Sequence, residues 1–133
     1  MSKELIDGVA YVAHPFDGKK LNIAKSKVII ERIHQRHPCL ILLNPLEIFS
    51  YEEYSREKNW YTTQMEDCLQ LLSKADYLIL AGDWQNSKGS MCEWGYAKGL
   101  KMKIFEWYGR NLHEMTKSRL ITAIINRQGG KIA

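Results

Sequence analysis

Residues 87–97, Ser-Lys-Gly-Ser-Met-Cys-Glu-Trp-Gly-Tyr-Ala, hold the densest set of chemistry-bearing groups in the chain. The pattern predicts a polar loop over 85–89 that runs into a helix over 90–100. A helix start exposes backbone N–H groups and the positive end of the helix dipole, and both favour an anion. Ser87 adds a hydroxyl there, and Gly89 lets a ligand approach the backbone. Glu93 falls in the first turn of that expected helix. The dipole would lower its pKa and keep it ionised, as a nucleophilic carboxylate requires. The same residues also read as local structure. Ser90-x-x-Glu93 is a capping box, in which the serine caps the helix and the glutamate reaches back to it. Both readings stand at this level.

Two phosphate motifs are excluded. Lys88-Gly89-Ser90 has the wrong order for a mononucleotide P-loop, which needs Gly-Lys-Ser/Thr after an earlier glycine. No Gly-x-Gly-x-x-Gly follows the first strand, so a nicotinamide redox enzyme is not expected. His34, His37 and His113 have no partner at metal-ligand spacing, and no metal or organic cofactor is expected.

The elements that must position these groups alternate regularly. Residues 8–13 form a short apolar strand that ends at His14-Pro15-Phe16-Asp17-Gly18. Helical periodicity follows over 21–37, and Pro38 stops it. Residues 39–43 are a continuous apolar run, the pattern of a strand buried on both faces. Residues 47–60 are polar but rich in aromatics, and predict a loop with a short helix. Further helices are predicted over 61–74 and 111–126, and further strands over 76–81 and 103–107. Strand–helix alternation predicts an α/β doubly wound domain, with a mostly parallel sheet covered on both faces. Ligands in such sheets bind at the carboxyl ends of strands, so the loops after residues 13, 43 and 81 are the candidate site.

Length and composition set the remaining bounds. The 133 residues suit one domain, 1–133, and the 45% hydrophobic and 26% charged content is that of a soluble globular protein. No stretch nears the roughly 20 apolar residues of a bilayer span, so no membrane partner is expected. No secretory signal follows Met1. Cys39, Cys68 and Cys92 are odd in number and widely spaced, which argues for a reduced, cytoplasmic protein. The net charge of +4 is mild and scattered, and supports no nucleic-acid partner.

Tyr11, Asp67, Ala75-Asp76 and Gly89-x-x-x-Glu93-x-Gly95-x-Ala97 together resemble the nucleoside 2-deoxyribosyltransferase superfamily over residues 9–105. His14-Pro15-Phe16, Asn44-Pro45, Gly82-Asp83-Trp84 and Ser87-Lys88-Gly89 resemble most an uncharacterised bacterial and phage branch of it. Proteins of this superfamily act on N-glycosidic bonds of nucleosides or nucleotides. The resemblance implies that Glu93 is the nucleophile, Asp67 the acid for the leaving base, and Tyr11 the residue that orients the nucleophile. It further implies that Ser87 and the Gly89 amide hold a 5′-phosphate. Transferases tend to carry an acidic residue where Ser87 stands, so hydrolysis of a (2′-deoxy)nucleoside 5′-monophosphate is expected. A deoxyribosyltransferase and a non-catalytic nucleotide-binding module are the alternatives.

The chain departs from the pattern after Tyr11. The nucleotide hydrolases have a glycine-rich, basic loop there, and here Asp17 stands near the basic position. His14, Lys19 or Lys88 would have to compensate. Phe16 and Trp84 are candidates to sandwich a base, or else packing at the core's edge. Relatives complete each pocket from a neighbouring chain, and residues 49–61 carry much aromatic surface. A lid over the base or a homodimer contact is therefore expected of that segment.

Overall fold

The computed structural model describes residues 6–115. Five strands form one sheet in the order β2-β1-β3-β4-β5. These are β1 (Gly8–Ala13), β2 (Leu40–Leu43), β3 (Tyr77–Leu80), β4 (Lys103–Tyr108) and β5 (Asn111–Glu114). The first four pair in parallel, and β5 runs antiparallel to β4. Helix α1 (Lys20–Arg36) links β1 to β2. After β2 come two single-turn helices, α2 (Pro45–Ile48) and α3 (Tyr51–Tyr54), and then α4 (Trp60–Ser73). Helix α5 (Lys88–Gly99) links β3 to β4, behind a 3-10 turn at Trp84–Asn86.

Alternation along the strands divides the core in two. Tyr11, Ala13, Leu78, Leu80 and Ile104 face α4 and α5, where they meet Cys68, Leu72 and Ala97. Ala10, Val12, Ile79 and Phe105 face the other way, where α1 contributes Ile33. The sheet is thus covered on both faces by helices, as a doubly wound α/β fold requires, and the described residues form a single domain.

Two expectations are corrected. The run 39–43 is not buried on both faces, because β2 is an edge strand and Ile41 is 61% exposed. The helix expected over 111–126 does not begin at Asn111. Residues Asn111–Glu114 are β5, and the rest of that expectation, 116–126, lies outside the described residues. A two-residue turn at Gly109 (φ +57°) and Arg110 (φ +64°) folds β5 back onto β4. Two successive positive φ values match the twist of a tight hairpin.

Candidate functional site

The loops after β1 and β3 meet the amino-terminal halves of α4 and α5 around a cavity of about 240 Å³. Glu93 lies at its floor. The residue is only 6% exposed, and its Oε2 accepts a hydrogen bond from the Tyr11 hydroxyl. Tyr11 comes from the middle of β1 and Glu93 from the second turn of α5, 82 residues away. Their meeting follows from the parallel packing of β1 beside β3, which delivers α5 across the face that Tyr11 points to.

Burial pushes the Glu93 carboxyl up from its ordinary value of 4.5 to about 7, and the Tyr11 hydrogen bond opposes that rise. Burial and the neighbouring Glu93 hold Tyr11 well above the usual phenol range, so it stays an O–H donor. The Cys68 thiol is also in hydrogen-bond contact with Tyr11, and burial followed by Glu93 pushes it up to about 12. At neutral pH it is therefore a thiol, not a thiolate.

The helix start differs from the capping-box reading. α5 begins at Lys88, and Ser87 is its cap, with Oγ accepting the Ser90 amide at 3.2 Å. Ser90 stands inside the first turn and Glu93 in the second. Ser90-x-x-Glu93 is thus no capping box, and the dipole does not hold the Glu93 pKa down. The Ser90 hydroxyl is 1% exposed, has no hydrogen-bond partner among the described residues, and borders the cavity. An unpaired buried hydroxyl is costly, and this one is placed where a group in the cavity can bond it. Ser87 and Gly89 border the same space. The Tyr61 hydroxyl stands 3.5 Å from where a Gly89 side chain would begin.

The other expected site residues divide. His14, Phe16 and Asp17 line the cavity. His14 Nδ1 donates to the Pro15 carbonyl at 2.8 Å, which leaves Nε2 as an acceptor, and burial keeps the ring below its ordinary pKa. The ring edge presses on Gly82, where any Cβ would lie 2.8 Å from Nε2 and φ is +64°. Only glycine suits that approach. Trp84 does not line the cavity. It is buried in the core, and its Nε1 donates to Glu106 Oε2 at 2.9 Å. Asp67 also lies off the cavity lining, with Oδ2 accepting from the Tyr54 hydroxyl at 2.5 Å.

Sequence reasoning missed Trp60 and Gln64, which α4 contributes to the cavity wall. Trp60 lines the cavity, whereas Trp84 does not. An edge-to-face chain joins Phe16 to Tyr51 (5.0 Å), Tyr51 to Trp60 (5.1 Å) and Trp60 to Tyr61 (5.8 Å). The aromatic segment thus packs on itself and on the loop after β1, and walls the cavity. Helical spacing from Trp60 through Tyr61, Gln64 and Cys68 was the available signal.

Among the described residues, no three or more His, Cys, Asp or Glu side chains gather where they could hold a metal ion. Nor is any helix there long and apolar enough to cross a membrane. A family model described as Domain of unknown function (DUF4406) matches residues 9–106, which take in every group described above. No curated protein matches the chain.

Proposed function

The chain belongs to the DUF4406 family, and from that premise we propose that it hydrolyses the N-glycosidic bond of a (2′-deoxy)nucleoside 5′-monophosphate. The observation that supports this most is the buried Tyr11–Glu93 pair on the floor of a cavity that also borders the start of α5. Glycoside cleavage passes through an oxocarbenium-like state, and a carboxylate beneath the sugar can trap it covalently. In the proposed reaction, a Glu93 oxygen attacks the anomeric carbon. The bond to the base breaks with its electron pair, and the departing base takes its proton from solvent water, to which the later attacking water returns one. Water then attacks the same carbon, gives up a proton and releases the Glu93 carboxylate. Tyr11 holds the carboxylate in one orientation throughout.

The 5′-phosphate is assigned to the start of α5. The Lys88 and Gly89 amides have no acceptor among the described residues, and the Ser87 and Ser90 hydroxyls can both donate. Phe16 and Trp60 supply aromatic surface for the base. Asp67 is given no contact with substrate, because it does not line the cavity and its Oδ2 accepts from Tyr54. That same feature favours the second reading, a nucleotide-binding module without turnover. Incubation with a panel of ribo- and deoxyribonucleoside monophosphates separates the two. Free base from any of them supports hydrolysis. Saturable binding with no free base supports the binding module, and the absence of both release and binding contradicts both readings.

A further inference from the structure

One polar group in the cavity has no task in the reaction as written. Gln64 is 7% exposed, lines the cavity, and makes no hydrogen bond among the described residues. Its amide nitrogen and oxygen are not enclosed, unlike Ser90 Oγ, and are open to the cavity and its solvent. A carboxamide presents one acceptor and two donors side by side, and so pairs with an edge that carries a donor next to an acceptor. Every nucleobase has such an edge, and the amide's bidentate match to one of them discriminates among bases.

Position supports this use. Gln64, Cys68 and Leu72 form the buried stripe of α4, at successive spacings of four residues. Such residues share a helix face, with a rise of about 6 Å per step. Cys68 touches Tyr11, which holds Glu93. Gln64 therefore stands one turn along α4 from Cys68, and lines the same cavity as Glu93. It shares the lining with Trp60 and Phe16, on whose rings a base can stack. The neighbours Leu46 and Met65 offer the base edge no competing donor.

We propose that Gln64 reads the polar edge of the nucleobase, and so sets which nucleotide the site accepts. The assignment rests on the functional reading above. Its test measures binding rather than turnover, with Glu93→Gln protein to prevent cleavage. Dissociation constants are taken for the four deoxynucleoside monophosphates, with Gln64 present and in Gln64→Leu. With Gln64, one base is expected to bind at least about tenfold tighter than the weakest, and Gln64→Leu should bring the four within about threefold. Gln64→Met, of similar volume, repeats the comparison should the leucine variant fold poorly. Discrimination that survives both substitutions, or its absence with Gln64 present, overturns the assignment and leaves the hydrolase reading standing. No binding of any monophosphate overturns that reading, and the assignment falls with it.

Discussion

Glu93 carries most of the consequences at the scale of single residues. Its carboxyl is raised from 4.5 to about 7 by burial, with Tyr11 partly offsetting the rise. Nucleophilic attack needs the ionised form, so kcat/KM of the free protein should rise with pH through about 7 and level off above it. Tyr11→Phe removes the opposing hydrogen bond, so the same limb should move to higher pH and its plateau should fall. Its measured midpoint decides this. An unmoved midpoint would mean that Tyr11 does not hold the ionised carboxylate. The same shift bears on stability. Between pH 4.5 and 7 the folded chain binds a proton at Glu93 that the unfolded chain has lost, so unfolding free energy falls as pH rises through that window. The loss is of the order of 3 kcal/mol. Glu93→Gln removes it, and the variant should melt higher than the parent at pH 8 and not at pH 4. Asp67 is the opposite case. A general acid contributes about 10²–10⁴ in rate, whereas Asp67→Asn should lower kcat by less than about tenfold, since that carboxyl does not line the cavity and accepts from Tyr54. A larger loss would restore the acid role that the superfamily resemblance implies.

Among the elements, the start of α5 makes a test that distinguishes a cap from a ligand. Ser87→Ala removes the helix cap, and should cost about 1 kcal/mol of stability as well as the preference for a monophosphate over its nucleoside. Ser90→Ala removes a buried hydroxyl that bonds to no described residue, so it should leave the melting temperature unchanged or raise it. It should still weaken monophosphate binding by about tenfold, measured by titration, because one charge-assisted bond is lost. Equal binding in parent and Ser90→Ala would show that the hydroxyl is only a packing defect. The position of this helix start was hard to read from sequence, because Ser87 and Ser90 are both capping residues, three apart. The pattern around them fits either start. The later start places Glu93 in the first turn, under the dipole, whereas the sign of its pKa shift is set by burial, which only packing decides. Strands β1, β3 and β4 were legible from their apolar runs, since their flanks and length allow little else. Strand β5 was not. Leu112 and Met115 suit helical spacing equally well, and the signal against a helix was the Gly109-Arg110 turn, whose backbone turns on tertiary pairing with β4. Trp84 and Trp60 show the same limit. Both are aromatics beside the expected site, and only packing decides that Glu106 draws the first into the core.

For the whole molecule, the sheet order and its two packed faces bring the β1 loop, the β3 loop and α5 to one edge, and that much followed from strand–helix alternation. The aromatic chain from Phe16 to Tyr61 puts three of its four rings, Phe16, Trp60 and Tyr61, on the cavity wall. Tyr61 keeps 45% of its surface exposed beside it, and Ile48 keeps 50%. Such apolar exposure next to a cavity suits contact with a second copy of the chain. A homodimer is the expected state, and sedimentation at high micromolar concentration should show about twice 15.5 kDa, whereas a single 15.5 kDa species would contradict it. The account as a whole stands on Glu93 as a nucleophile toward the sugar of a nucleotide. Its most direct test is the release of free base from nucleoside 5′-monophosphates, followed side by side with parent protein and folded Glu93→Ala. The account expects base release from at least one monophosphate, reduced by several powers of ten in the variant. Release at the same rate from both proteins, or none from the parent, would contradict it.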